Sequence, residues 1–255
     1  MEKTFIQNRK GQKVAVIVEQ NENPKGLAFV MHGLGGSKDQ PLIVEFAETF
    51  KEKGNTVVRF DTTNTFGESD GKYENATITN YYEDLEDVIS WASKQTWYRE
   101  PFILCGHSLG GISIALFSEK YPEKVRALAP ISTAVSSTLF LDTHPEEELK
   151  QWKELGYKIS ERQSKPGAFK KLNWTYVEDR LKYDLLEKAD RLTMPVFLMV
   201  GENDTSAPPK HQQILFDKLP GKKELHIIKG APHTFRDREH VDEVKMILSD
   251  WIDKL

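Results

Sequence analysis

The residues of this chain best suited to catalysis are a serine, an aspartate and a histidine that lie far apart in the sequence. Ser108 stands in Gly-His-Ser-Leu-Gly, directly after the apolar run 102–105. A strand that ends there and turns sharply into a helix would leave the serine hydroxyl exposed. Glycines at 106 and 110 would permit the close backbone approach that such a turn requires. The motif and its context therefore predict that Ser108 is a nucleophile.

A serine hydroxyl is a weak nucleophile at neutral pH. It needs a histidine that accepts its proton and a carboxylate that orients the histidine. Asp204 follows the apolar run 196–200, and His233 follows the run 224–228. Glu202 is the competing acid, but we expect Asp204 because it lies deeper in its turn and can reach across to His233. The sequence thus predicts a complete catalytic triad.

A glycine-rich segment, His-Gly-Leu-Gly-Gly at 32–36, follows another apolar run at 27–31. Such a loop frees backbone N–H groups to face a substrate. We expect the N–H groups of Leu34 and Leu109 to hold the negative oxygen of a tetrahedral intermediate. A phosphate-binding loop is the alternative, but no Lys-Ser/Thr pair follows and G-x-G-x-x-G is not completed. His32 is expected to be a structural hydrogen-bonding group beneath the loop.

These motifs fall within an alternation of predicted strands and helices. Segments that read as strands cover 14–19, 27–31, 56–60, 102–105, 125–131, 195–200 and 224–228. Helical spacing covers 41–53, 80–94, 112–120, 210–218 and 240–251. Strands that alternate with helices imply a mainly parallel sheet covered by helices on both faces.

The alternation stops between about residue 135 and residue 190. This stretch is rich in charged and aromatic residues and shows no strand pattern. It predicts an inserted, largely helical cap at 135–190 and a core formed by 1–134 and 191–255. Trp152 and Trp174 are candidates to line a substrate pocket. The alternative is that they only anchor the cap to the core.

Composition limits the classes of partner. The chain has 255 residues, a net charge of −4 and one cysteine, Cys105, which excludes an internal disulfide. There is no basic stripe for nucleic acid and no apolar run near the ~20 residues of a membrane span. No local cluster has the spacing of a metal site. We expect a cytoplasmic monomer or homodimer that acts on a small-molecule ester without nucleic acid, membrane, metal or cofactor.

The motifs at 32–36 and 106–111, followed by Asp204 and His233, resemble those of the α/β-hydrolases in order and spacing. The resemblance runs nearly from end to end of the chain and lies with the serine-esterase branch.

The segments 59–61 and 67–73 also resemble those of bacterial cinnamoyl or feruloyl esterases and related small carboxylesterases. The resemblance implies an α/β-hydrolase fold, with a mainly parallel eight-stranded sheet, helices on both faces and an inserted helical cap. It implies cleavage of carboxylic esters through an acyl-enzyme intermediate, with short-chain or feruloyl- and cinnamoyl-type aryl esters as substrates. Thioesterase or small peptidase action remains open, as does a non-catalytic relative that keeps the fold to bind a ligand.

Overall fold

An eight-stranded sheet runs through the computed structural model, which describes residues 1–162 and 165–255. The strands are, in chain order, β1 (Glu2–Gln7), β2 (Lys13–Glu19), β3 (Gly26–Met31), β4 (Asn55–Phe60), β5 (Phe102–His107), β6 (Val125–Ile131), β7 (Tyr157–Glu161), β8 (Phe169–Asn173), β9 (Val196–Gly201) and β10 (Lys223–Ile228). Across the sheet the order is β1-β2-β4-β3-β5-β6-β9-β10, and β7 pairs with β8 in a separate hairpin.

The sheet is mainly parallel, as the alternation of strands and helices predicts. β2 is antiparallel to both of its neighbours. Along the rest of the sheet, in the order β4-β3-β5-β6-β9-β10, each strand is parallel to the next. The sequence pattern located all of these strands except β1. That strand lies at the edge of the sheet and buries only Ile6, so it lacks the continuous apolar run of a central strand.

Side chains of the central strands alternate between two hydrophobic cores, one on each face of the sheet. In β3, Leu27, Phe29 and Met31 join one core, while Ala28 and Val30 join the other. All five are fully buried. A strand buried on both faces must be apolar at every position, which explains its unbroken hydrophobic sequence.

Helices cover both faces. They are α1 (Pro41–Glu52), α2 (Ile78–Ala92), α3 (Leu109–Lys120), α4 (Ser137–Asp142), α5 (Glu146–Leu155), α6 (Thr175–Arg180), α7 (Pro209–Lys218) and α8 (Arg238–Ile252). Buried residues of α1 and α8 contribute to the core on one face, and those of α2, α3 and α7 to the core on the other. Helices on both faces agree with the prediction.

The helix α3 buries nearly all of its circumference between the sheet and its neighbours, which include α2. Its sequence is apolar or small all round, as expected of a central helix. Because α3 is packed on every side, its first residue is held firmly at the end of β5. This helix start is where the predicted nucleophile lies.

The inserted segment, residues 135–190 without 163 and 164, contains α4, α5, the hairpin β7–β8 and α6. The sequence shows no strand pattern in this segment and predicts a largely helical cap, but the segment also contains the two strands of the hairpin. Only Leu172 of the ten hairpin residues is buried. The hairpin is therefore held by its own antiparallel pairing rather than by an apolar face, so its sequence gives little strand signal.

No helix in the described ranges is both long enough and apolar enough to span a membrane.

Candidate active site

Ser108 lies at the sharp turn between β5 and α3, with backbone φ 54° and ψ −112°. A positive φ is strained for a residue with a side chain, and such strain persists only where the surroundings enforce it. The glycines on either side allow the turn. A Cβ at Gly106 would lie 2.6 Å from the carbonyl oxygen of Gly110, and a Cβ at Gly110 would lie 2.6 Å from that of His32. The expected close approach is therefore present.

The structure brings the serine, histidine and aspartate together. His233 Nε2 lies 3.0 Å from Ser108 Oγ, and His233 Nδ1 lies 2.7 Å from Asp204 Oδ2. The three side chains come from turns that follow β5, β9 and β10, which are parallel strands ending at the same edge of the sheet. With Nδ1–H donating to the carboxylate, Nε2 is free to accept the serine proton.

Asp204 is a buried carboxylate with its oxygens fully engaged. Oδ1 accepts the backbone N–H groups of Ser206 at 2.9 Å and Ala207 at 2.8 Å, while Oδ2 accepts from His233. Burial alone would raise its pKa, but the hydrogen bond and charge of His233 and the N–H of Ala207 hold the pKa below its ordinary value. The group thus stays negatively charged beside the imidazole.

Glu202, the competing acid, does not reach the histidine. Its side chain is exposed, and Oε2 accepts the backbone N–H of Gly230 at 2.8 Å. The hydrogen bond ties the turn after β9 to the turn after β10. Its geometry suits a residue that stabilises the loop before His233.

His107 has a connection to the site that the sequence did not reveal. Its Nε2–H donates to the carbonyl oxygen of His233 at 2.8 Å, and the two rings lie 4.8 Å apart. Burial, together with the charge of His233, lowers the pKa of His107 to about 3, so the ring is neutral. It ties the histidine loop to the end of β5. Its place directly before the serine was the only available signal.

The glycine-rich loop after β3 is held from beneath by two buried side chains. His32 donates Nδ1–H to the carbonyl of Gly33 at 2.8 Å and accepts the N–H of Thr62 at 3.1 Å, as expected of a structural histidine. Tyr81 donates to the same carbonyl at 3.2 Å and accepts the N–H of Gly35 at 3.3 Å. The loop is therefore fixed in shape before any ligand arrives.

The backbone N–H groups predicted to form an oxyanion site lie at this loop and at the start of α3. Leu34 and Leu109 both line the cavity that contains Ser108. Among the described residues, neither N–H donates to a backbone or side-chain acceptor. Both are therefore available to a substrate oxygen.

A cavity of about 570 Å³ opens above Ser108, between the core loops and the inserted segment. Trp152 lines it, is 4% exposed, donates Nε1–H to the carbonyl of Leu172 at 3.0 Å and stacks on Tyr176. Trp174 packs edge-on against Trp152 and is absent from the described residues that line the cavity. The two tryptophans thus occupy different positions relative to the space.

His211 is buried. It lies on α7, is 4% exposed and also lines the cavity. The helical pattern alone could not reveal that this face of α7 meets the inserted segment. In the described ranges, no group of three or more His, Cys, Asp or Glu side chains is placed to hold a metal ion.

Two family models match the chain. The Hydrolase_4 model, described as serine aminopeptidase, S33, matches residues 22–167. A model described as PhoPQ-activated pathogenicity-related protein matches residues 101–254. The chain is also 26% identical over 240 residues to the mitochondrial palmitoyl-protein thioesterase ABHD10 of Bos taurus, over 90% of this chain and 74% of that protein.

Solved structures agree with the fold. Est1E from Butyrivibrio proteoclasticus, with ferulic acid bound, superposes with a TM-score of 0.82 at 21% identity, over 98% of each chain. Alpha/beta hydrolase domain-containing protein 10 from mouse superposes with a TM-score of 0.81 at 23% identity, over 100% of this chain and 99% of that chain. The fold expected from the sequence motifs is thereby confirmed.

Proposed function

Since the chain belongs to the Hydrolase_4 family of α/β-hydrolases, we propose that it is a serine hydrolase that cleaves carboxylic esters through an acyl-enzyme intermediate on Ser108. The observation that carries the proposal is the hydrogen-bonded chain from Asp204 through His233 to the Ser108 hydroxyl. That chain has the geometry in which a neutral imidazole takes the serine proton as the oxygen attacks.

In the first half of the reaction, Ser108 Oγ bonds to the ester carbonyl carbon while His233 Nε2 takes the hydroxyl proton. The carbonyl oxygen becomes an oxyanion, which the N–H groups of Leu34 and Leu109 stabilise. Each such donor contributes about 3 kcal/mol to the transition state. The intermediate then collapses, the bond to the alcohol oxygen breaks, and the imidazolium returns its proton to that oxygen.

In the second half, water attacks the acyl-enzyme with His233 again as the base. The bond to Ser108 Oγ breaks as the imidazolium returns its proton to that oxygen, and the carboxylic acid leaves. Asp204 remains ionised throughout and stabilises the imidazolium, because its pKa is held below the ordinary value. His107 is a positioning residue, since it acts by holding the loop of His233.

Within this proposal, the core, 1–134 and 191–255, supplies the chemistry and the inserted segment selects the substrate. We expect short-chain or aryl esters, including feruloyl- and cinnamoyl-type esters. Trp152 and Tyr176 give the cavity aromatic walls. Charged side chains also line it, and a long alkyl chain would have to desolvate them. Est1E, with ferulic acid bound, has the same fold.

A thioester is the second candidate substrate, because one relative is a palmitoyl-protein thioesterase. The same triad can attack either kind of carbonyl, so the distinction lies in the leaving group and the acyl chain. A peptidase and a non-catalytic ligand-binding relative are weaker alternatives.

The proposal is tested by labelling and by hydrolysis. A fluorophosphonate should modify the protein at one residue, Ser108, and the label should be absent from Ser108→Ala. This variant should lose ester hydrolysis by a factor on the order of 10⁶ in kcat while keeping the wild-type melting temperature. Ser93→Ala, at an exposed serine, is the matched control.

Nitrophenyl butanoate, nitrophenyl palmitate, methyl ferulate and a butanoyl thioester would rank the substrates. Turnover should fall steeply from the butanoyl to the palmitoyl ester. Faster hydrolysis of the thioester than of the butanoyl oxygen ester would favour the second candidate. Retention of a tenth of the wild-type turnover by Ser108→Ala would contradict the whole mechanism.

A further inference from the structure

Arg180 is a buried cation in the wall of the active-site cavity. It ends α6, is 2% exposed and is one of the residues that line the space above Ser108. Its Nη2–H donates to the carbonyl of Ser136 at 3.0 Å, and Nη1–H donates to that of Tyr183 at 3.4 Å. A guanidinium has five N–H donors, so these two bonds leave three for another acceptor.

Among the described residues no acidic side chain forms a direct ion pair with Arg180, although the charge of Asp184 acts on it from a greater distance. Across the described residues, no carboxylate oxygen lies within 4 Å of its guanidinium, and the nearby Asp184 accepts instead from the backbone N–H of Leu186 at 2.8 Å. Burial lowers the pKa of Arg180, because the cation is held away from water. A buried charge without a counter-ion costs several kcal/mol. A neutral amide side chain could donate to the same two backbone carbonyls without the cost of burying a charge. Hydrogen bonding to these carbonyls therefore does not by itself explain an arginine here.

His211 lies on the same wall and has an unused polar atom. Its Nε2 is buried and has no hydrogen-bond partner among the described residues. His211 and Arg180 both line the cavity that contains Ser108. Buried polar atoms are ordinarily hydrogen-bonded, so this nitrogen, on a residue that lines the cavity, is available to bond a polar group of a substrate.

The rest of the cavity has the same sign of charge. Besides Arg180, its described lining contains four basic side chains and two carboxylates, which are Lys158, Arg162, Lys170, Arg236, Glu148 and Glu161. One of the carboxylates, Glu148, is paired with Lys158 at 2.6 Å. Burial and repulsion from Arg162, Lys158 and Arg236 lower the pKa of Lys170, so the field in this space is positive.

We propose that the cavity binds esters that carry a carboxylate away from the scissile bond, and that Arg180, assisted by His211, recognises this carboxylate. The inference rests on the proposed ester hydrolysis and narrows its substrate class. The planar fork of a guanidinium matches a carboxylate through paired N–H donors, and such charge-assisted bonds are stronger than neutral ones. The anion supplies the counter-charge that the protein withholds from Arg180.

Matched substrates test the proposal in the wild-type protein. Monoethyl adipate and ethyl hexanoate have acyl chains of equal length and differ in a terminal carboxylate. The second pair is propyl butanoate and 4-(butanoyloxy)butanoate. The latter carries its carboxylate at the end of the propyl group, on the alcohol side of the ester. Titration of released acid should give a kcat/KM at least about tenfold higher for the charged member of one pair. The pair that responds identifies which side of the ester reaches Arg180.

Variants assign the preference to the arginine. Arg180→Gln should lower the charged-to-neutral ratio at least about tenfold, mainly through KM, and Arg180→Lys should restore part of it. Lys182→Gln, an exposed residue just after α6, should keep the wild-type ratio. If Arg180→Gln does not fold, the charged-to-neutral ratios of Arg180→Lys and of the wild type test the proposal. Equal rates within both pairs, or a proportional fall for both members in the arginine variants, overturns the proposal.

Binding separates this proposal from the proposed function. Monoethyl adipate and ethyl hexanoate can be titrated calorimetrically into Ser108→Ala, with and without Arg180→Gln. If the wild type hydrolyses no ester, the ester-hydrolase proposal fails. Tighter binding of the charged ester that depends on Arg180 would still support the anion site, whereas equal binding of the two esters would overturn it.

Discussion

The two sides of the cavity are built in different ways. On the core side, Ser108, Asp204 and His233 are fixed by backbone geometry, with a strained φ at the serine and several hydrogen bonds to one carboxylate. On the inserted side, the hairpin is held mainly by its own pairing and leaves Ile159 57% and Phe169 69% exposed. Precise positioning suits bond-breaking, whereas exposed positions in the hairpin tolerate sequence changes that alter which substrate fits.

The comparison has a kinetic consequence. Changes on the core side should lower kcat for every substrate, because they remove interactions made in the transition state. Changes on the inserted side should act on KM and differ from one substrate to another. Kinetics of variants on the core side and on the inserted side can therefore test this difference between the two regions.

The largest effect is expected for the base. His233→Ala should lower kcat by a factor on the order of 10⁶, and combining it with Ser108→Ala should add little, because the triad acts as a unit. Wild-type activity should also fall at acid pH, since an imidazolium cannot accept the serine proton. Steady-state kinetics with nitrophenyl butanoate measures both. His226→Ala, at a half-exposed histidine of β10, is the control. If the losses of the two single variants added fully in the double variant, the triad would not act as a unit.

A smaller loss is expected for the orienting acid. Asp204→Asn should lower kcat by a factor on the order of 10⁴, because an amide favours the wrong imidazole tautomer. Glu202→Gln should change kcat little, since Glu202 accepts the backbone N–H of Gly230 and does not reach His233. The two variants are a matched pair on one turn. If Glu202→Gln lost most of its kcat while Asp204→Asn remained active, the orienting acid would be Glu202 rather than Asp204.

The catalytic residues of the core side could be predicted because their positions follow from local sequence patterns. Ser108 stands where an apolar strand meets a helix, and steric limits at Gly106 and Gly110 leave few other residues possible there. The acid follows β9, whose unbroken apolar sequence identifies it as a buried strand, and the base follows β10, an edge strand of mixed sequence whose last residue, Ile228, is buried. Parallel strands bring their ends to one edge, so distant residues could be placed together from the sequence pattern.

The inserted side depends on contacts that no local pattern encodes. The strands β7 and β8 lack an apolar face, so they were not recognised. His211 gave no sign that its helix face would meet the inserted segment. Arg180 occurs in a charged stretch, and a sequence does not reveal which charged residue will be buried. The role of His107 likewise depends on the path of a loop more than a hundred residues later.

An aromatic-wall variant should have a modest, substrate-specific effect. Trp152→Leu removes an aromatic face from the cavity and should raise KM for methyl ferulate about fivefold, the equivalent of about 1 kcal/mol of stacking. KM for nitrophenyl acetate should change less. Trp174→Leu is the matched control, because Trp174 lies behind Trp152 rather than on the cavity wall. Equal effects on both esters would mean that Trp152 only anchors the inserted segment.

The smallest effect concerns the junction between the two regions. Glu119 of α3 is 5% exposed, its Oε1 has no hydrogen-bond partner among the described residues, and burial raises its pKa to about 8. The folded protein therefore favours the protonated carboxyl. This contribution to stability is fully present below the ordinary pKa of a glutamate and is lost as the pH rises towards 8.

Glu119→Gln is neutral at every pH and should remove this dependence. We expect its melting temperature to exceed that of the wild type by about 3 °C at pH 8 and the difference to shrink towards zero near pH 5. Calorimetry at both values measures it, with Glu123→Gln at an exposed neighbour as the control. Hydrolysis of nitrophenyl butanoate should hardly change, because Glu119 lies at the far end of the helix that begins after Ser108. A constant difference in melting temperature between the two pH values would show that Glu119 is already ionised in the folded protein, and the junction would then owe no pH-dependent stability to this carboxyl.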